Sequence, residues 1–220
     1  MRKTKILQIV QIVQKMKRSL KVLLCLAIIL SQGLGFPVYA RSIAKDADKE
    51  TKETKEMKQN EYVVFTEKNI KTEDMRKKSK LDKDKLEEYM KKFPSLSGIE
   101  DTLLEMQDEY NVNAILIFAI VRLESGNGKS QIAKSKNNLG GIITYEKSAR
   151  VYKSFDSRSD CVIYMAKLLS ENYLTEGGRY YNGYTLPDIA KKYSAAPDKW
   201  SDYVSELIYE IQTSINAIKI

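Results

Sequence analysis

From Ala114 to Leu123 the chain is apolar at every position but Arg122, a pattern that predicts a helix buried on nearly all sides. Asn113 is a natural N-cap, and Gly126 can take the left-handed conformation that closes a helix. Around this run the pattern becomes amphipathic. Leu86, Tyr89 and Met90 fall at helical spacing before Pro94, and Ile99, Leu103 and Met106 stripe a second helix after Ser97-Gly98. Ser130 to Lys136 predicts a short helical turn. Gly141 to Tyr145 and Arg150 to Phe155 predict a β-hairpin across Glu146-Lys147-Ser148-Ala149, the one convincing sheet. Asp156 or Ser157 should cap the next helix, whose inward positions are Cys161, Val162, Met165, Leu168 and Leu169. Thr185 and Pro187 open a helix that runs through Tyr193. Pro197 breaks the chain, and Asp198 is expected to cap a closing helix carrying Trp200, Tyr203, Val204, Leu207, Ile208 and Ile211, with Trp200 in the core. The expected fold class is α+β, mostly helical, with a small β-hairpin lobe.

The chemistry sits at the end of the apolar run. Glu124 would occupy the last turn of the buried helix, where the negative end of the helix dipole and apolar neighbours both disfavour a charged carboxylate. A carboxyl held protonated is what donation to a glycosidic oxygen requires. The same residue types also fit a solvated helix-terminal Glu paired with Arg122 or Lys129. Chemistry through other side chains is restricted, because the chain has no histidine. That removes His-based nucleophilic triads and the common zinc sites, and no metal or organic cofactor is expected. Cys161 reads as a small buried residue rather than a nucleophile.

The residues around Glu124 carry a resemblance. Glu124-Ser125-Gly126, Gly128-Lys129-Ser130, Ile132-Ala133 and Asn137-Asn138-Leu139 before Gly141-Ile142 resemble the signature of the bacterial glucosaminidase family of peptidoglycan hydrolases, glycoside hydrolase family 73. Leu86 to Met90 and Glu105 to Asn113 are similar to the helices leading into that signature. Val151 to Phe155 and Tyr193-Ser194-Ala195 fall where the family has its hairpin and its tyrosine motif. The resemblance implies a lysozyme-like fold with Glu124 as general acid, Tyr193 beside it in the cleft, and Ser125 and Asn138 near the substrate. Two positions depart from the family: Asn127 and Gly140 stand where aromatic residues are common. Their loss removes sugar-stacking surface without removing the acid.

A second carboxylate is sought on the hairpin, which in such a fold faces the catalytic helix. Glu146 is the candidate, and a charged turn residue is the plain alternative. As a base it would activate water on the far face of the sugar, with the two carboxyls about 6.5–9.5 Å apart. Otherwise the N-acetyl group of the substrate could assist, or Tyr193 could stabilise the transition state. Tyr180, Tyr181 and Tyr184, set among Gly177, Gly178 and Gly183, either stack on sugar rings or cover the core.

Charge changes the picture at the N-terminus. Met1 to Lys21 carries seven basic residues and no acidic one, Val22 to Leu30 is apolar, and Val38-Tyr39-Ala40 fits a cleavage site. Residues 1–40 are therefore expected to be a secretory signal, a membrane anchor only if left uncleaved. The whole chain has 37 basic and 29 acidic residues, a net of +8; without those seven it carries 30 against 29, a net of +1. Nothing in that balance supports a nucleic-acid partner. Residues 41–60, dense in alternating charge, are expected to be a flexible spacer. The domain is expected over 61–220, with Tyr62 to Phe65 β-like and with Phe65 and Ile70 docking on it.

The function these readings imply is an exported, monomeric endo-β-N-acetylglucosaminidase acting on peptidoglycan glycan strands, extracellular or wall-associated, of a Gram-positive-like kind. The alternatives are a lytic transglycosylase, whose Gly-Leu-Met-Gln type of signature is missing, and a non-catalytic wall-binding protein on a hydrolase scaffold.

Overall fold

The computed structural model describes residues 61–219, so the expected signal and spacer lie outside the described residues. Strand β1 (Tyr62–Val63) pairs in parallel with β2 (Lys78–Ser79), Tyr62 opposite Lys78 and Val63 opposite Ser79. Val63 of β1 and Phe65, Ile70 and Met75 of the loop between the strands turn into the core. Phe65 and Ile70 dock as expected. The β-like piece shrinks to two residues, and the charged stretch after Ile70 supplies an unexpected second strand and the buried Met75. A two-residue strand is too short to show period-2 alternation, which explains why this second sheet left no pattern.

Helix α1 (Lys83–Met90) is capped by Asp82, which accepts from the Lys85 amide, and buries Leu86, Tyr89 and Met90. Pro94 opens a 3₁₀ turn over Pro94–Leu96. Helix α2 (Glu100–Tyr110) starts one residue after Ile99, which is itself buried, and ends where Asn111 turns left-handed.

The apolar run becomes helix α3 (Ala114–Ser125), and each residue from Ala114 to Arg122 is buried. Asn113 caps it by accepting from the Ile115 and Leu116 amides, and Gly126 closes it in the left-handed conformation, both as expected. Helix α4 (Gln131–Lys136) is one short turn capped by Ser130. Strands β3 (Ile143–Glu146) and β4 (Ala149–Tyr152) pair antiparallel, Ile143 opposite Tyr152 and Glu146 opposite Ala149. The turn is therefore Lys147-Ser148, both with positive φ, the two-residue geometry whose twist suits a hairpin. Expected strand ends at Gly141 and Phe155 are loop instead.

Helix α5 (Arg158–Leu168) has a capping box made by Ser157 and Asp160, which decides between Asp156 and Ser157, and it runs on into a π-helical turn over Leu169–Tyr173. Helix α6 (Leu186–Tyr193) has the equivalent box from Thr185 and Asp188. Helix α7 (Pro197–Ala217) corrects the expectation that Pro197 breaks the chain and Asp198 caps: Ala196 occupies the cap position and both residues lie in the first turn. Proline suits that turn because its missing N–H has no partner to lose. Helix α3 packs against α2, α5 and α7, α6 lies on α7, and α1 touches α2 and α7. The core thus wraps the apolar run, and Glu124 emerges at its end.

Candidate active site

Helix α3 is held at both ends. At its N-terminus the Asn113 amide Nδ2 donates to the Lys77 carbonyl, the Ser79 hydroxyl donates to Asn113 Oδ1, and Gln107 Oε1 accepts from the Ser79 and Ala114 amides. This buried polar knot joins the N-terminal loop, α2 and α3, and it satisfies the amides that open a helix. At the C-terminus the buried Arg122 donates to the Tyr89 hydroxyl at 2.8 Å and to a carboxylate oxygen of Glu210 on α7. Its Nε donates to Asn127 Oδ1 at 2.9 Å, and its guanidinium lies 4.2 Å over the Phe93 ring. Arg122 is therefore committed to Glu210 and does not neutralise Glu124. Asn127, in the left-handed region, contributes to this lock where the family commonly has an aromatic ring.

Glu124 follows two residues later and faces solvent. The apolar surroundings expected from its sequence neighbours are absent on that side, because consecutive helical positions point in different directions. Its Oε1 accepts a hydrogen bond from the indole Nε1 of Trp200 at 3.0 Å. Trp200 is only 7% exposed, so its ring is core as expected, but its polar edge reaches the site.

Trp200 ends a run of aromatic rings. Tyr180 and Tyr173 have centroids 5.1 Å apart, Tyr173 and Tyr193 5.6 Å, and Tyr193 and Trp200 4.7 Å. Burial, reinforced by the negative charge of Glu124 and by the neighbouring Tyr173 and Cys161, raises the Tyr193 phenol well above its ordinary value. Tyr193 therefore keeps its proton next to Glu124. The sequence carries no signal for Tyr173, on which it stacks, because a lone tyrosine at the end of a helix reads as one more core residue.

The remaining candidates divide. Ser125 is buried, its hydroxyl donating to the Val121 carbonyl and accepting from the Gly128 amide. Asn138 is 1% exposed; its Nδ2 donates to the carbonyls of Ile142 and Lys153 and its Oδ1 accepts from the Ile142 amide. Both expectations of substrate contact are corrected, because every polar atom is consumed inside the protein: Ser125 shapes the turn after Glu124, and Asn138 ties the hairpin to the body.

Tyr180 joins the aromatic run. Tyr181 and Tyr184 instead form their own pair, with Arg76 3.3 Å over the Tyr184 ring and the Tyr184 hydroxyl donating to Glu176. The glycine loop is split between two places. Glu146 is exposed beside the hairpin tip, and Tyr145, 73% exposed, lies on the opposite face of the same strand. Cys161 is buried, accepts from the Leu139 amide, and burial raises its thiol, which keeps it unreactive. At Gly140 a Cβ would come 2.7 Å from Met165 Sδ, so Met165 fills the space beside it. Among the described residues no cluster of three or more metal-ligating side chains occurs.

Comparison with known proteins gives this geometry a family. Two provisionally named endo-β-N-acetylglucosaminidases, from two strains of Streptococcus pneumoniae, are 29% identical over 137 residues, 58% of this chain. The chain spans about a fifth of the length of these curated relatives. Staphylococcus aureus autolysin E superposes with a TM-score of 0.55 at 22% identity, covering 74% of this chain and 78% of that one. A catalytic mutant of autolysin E in complex with the disaccharide NAG-NAM also superposes at 0.55, with 20% identity over 72% of this chain and 77% of its own. At these identities the structural likeness is one of fold, and that fold is the lysozyme-like one the resemblance implied. The glucosaminidase profile, described as mannosyl-glycoprotein endo-β-N-acetylglucosaminidase, matches residues 100–213, from the first residue of α2 into α7. With more than half its length in that match, including Glu124, Tyr193 and Trp200, the chain belongs to the glucosaminidase family.

Proposed function

We propose that this protein is an exported endo-β-N-acetylglucosaminidase that hydrolyses the glycan strand of peptidoglycan, with Glu124 as general acid. The observation that carries the reading is the position of Glu124: a solvent-facing carboxyl on the last turn of a buried, doubly anchored helix, one oxygen held by the Trp200 indole. Family membership supports the bond type. The disaccharide NAG-NAM and the muropeptide NAM-L-Ala-D-iGlu bound by autolysin E support the substrate class. The basic and apolar opening of the chain supports export to the wall.

In the proposed reaction the Glu124 carboxyl gives its proton to the glycosidic oxygen as the bond from that oxygen to the anomeric carbon breaks. Positive charge develops on the sugar. Glu146, as base, takes a proton from the water that attacks the anomeric carbon. If Glu146 stands aside, the acetamido oxygen of the substrate bonds to the anomeric carbon first; water then attacks that carbon and opens the resulting ring, giving its proton to the Glu124 carboxylate. The neutral Tyr193 phenol lies near the acid, and the partly exposed rings of Tyr180 and Tyr193 offer apolar surface to a sugar chain.

The test is digestion of purified peptidoglycan by the chain and by Glu124→Gln, with released fragments reduced and weighed by mass spectrometry. A reduced N-acetylglucosamine end from the wild type alone is expected. An anhydro-muramic end would make the protein a transglycosylase. Wall binding without release by either protein would leave only a scaffold.

A further inference from the structure

We infer that Trp200 is the positioning residue of the acid: its indole N–H pins Oε1 of Glu124, so that the transferable proton is carried and delivered by Oε2. The inference rests on the reading of Glu124 as general acid and adds the group that orients it.

Three observations carry it. First, Glu124 is exposed, and a long exposed side chain keeps much of its rotamer freedom unless something holds it. The hydrogen bond from Trp200, 3.0 Å long, is that restraint. Second, the restraint is itself immobile. The indole is 7% exposed, sits in the first turn of α7 and stacks on Tyr193 with centroids 4.7 Å apart and ring planes 31° apart. Third, an indole N–H only donates. Of the two oxygens of a protonated carboxyl the carbonyl oxygen is the stronger acceptor, so the bond to Oε1 favours the proton on Oε2. The same bond survives transfer, because Oε1 accepts whether the carboxyl is protonated or ionised. The acid therefore begins and ends the proton transfer in one orientation, a saving in reorganisation worth roughly a hundredfold in rate where reacting groups must align to within an ångström.

The chain contains one tryptophan. Replacing tryptophan throughout by β-(3-benzothienyl)alanine therefore changes position 200 alone, keeping ring shape and stacking while a sulfur stands where the N–H was. Expected are a fall in kcat of about tenfold to a hundredfold on peptidoglycan, KM within a factor of two, and an unchanged melting temperature. Trp200→Phe should show the same split of kcat from KM. A kcat within twofold of wild type for the sulfur analogue overturns the role of Trp200 while leaving Glu124 as the acid. A wild type that cleaves nothing overturns both together.

A substrate-free readout accompanies this. The single indole should shift its emission in Glu124→Ala at neutral pH, because the acceptor of its N–H is gone, while Glu124→Gln, which keeps an acceptor oxygen, should stay close to wild type. Emission identical in wild type and Glu124→Ala would overturn the contact itself.

Discussion

Trp200 and Glu124 are 76 positions apart in the chain, yet an indole N–H and a carboxylate oxygen meet at 3.0 Å. The meeting is produced by two helices, since α3 delivers the carboxyl at its C-terminal turn and α7 delivers the indole at its N-terminal turn. A second bond between the same two helices, from Arg122 to Glu210, lies one face away and locks their relative position. The site therefore depends on how α7 sits on α3, and substitutions at that contact should be felt in activity as well as stability.

Glu146→Gln separates the two routes of the second step. With Glu146 as base, activity should fall about a hundredfold or more, with no change in melting temperature, because the side chain is exposed near the hairpin tip. Activity within threefold of wild type would assign that step to the acetamido group of the substrate.

Tyr193→Phe keeps the ring between Tyr173 and Trp200 and removes only the hydroxyl. Since burial and the charge of Glu124 raise the phenol, wild-type Tyr193 remains a donor through mildly alkaline pH. The variant is expected to lose kcat by about tenfold or more with the same alkaline limb. Loss of that limb would instead mean that the phenol titrates during turnover.

Arg122→Met should cost about 2 kcal/mol, since it leaves the Tyr89 hydroxyl and the Glu210 carboxylate without their charged donor. The melting temperature should drop by roughly 4–8 °C. Its pH dependence has a definite sign. Burial alone would raise the Glu210 carboxyl, but hydrogen bonds from Arg122 and Tyr89 outweigh it and hold the carboxyl below its ordinary value of 4.5. A depressed native value lends stability in full above 4.5 and loses it as the pH falls through the native value. Wild type should therefore lose melting temperature in that acid window, and Arg122→Met should lose less. Equal acid losses would show that the pair contributes nothing in solution.

A chain beginning at residue 81 should fail to melt cooperatively, whereas one beginning at residue 61 should fold. The family match starts at residue 100, but Val63, Phe65, Ile70 and Met75 are core and Ser79 anchors the start of α3. Four buried side chains at roughly 1.5–3 kcal/mol each approach the whole stability of a domain, about 5–15 kcal/mol. Equal circular-dichroism midpoints for the two chains would show residues 61–80 to be dispensable.

What the sequence by itself determined is local. The unbroken apolar run announced α3, because a helix surrounded by core has no polar face, and Asn113 and Gly126 marked its ends because only certain side chains satisfy or release the terminal backbone. Glu124 was legible for the same reason: a carboxyl directly after such a run must sit where the core meets solvent. The hairpin, the α1 and α2 stripes and the start of α6 were likewise written in spacing and capping residues.

The tertiary structure decided everything that depends on partners distant in the chain. Nothing in local periodicity distinguishes Trp200 as core from Trp200 as the holder of Glu124, since the ring does the first and its N–H edge the second. Ser125 and Asn138 read as substrate contacts by sequence, yet their side-chain hydrogen bonds are spent inside the protein, and the glycine-loop tyrosines read alike, yet Tyr180 stacks on Tyr173 while Tyr181 pairs with Tyr184 under Arg76. Periodicity reports which way a side chain points relative to its own element. Which atom it meets is set by the packing of elements that the pattern does not encode.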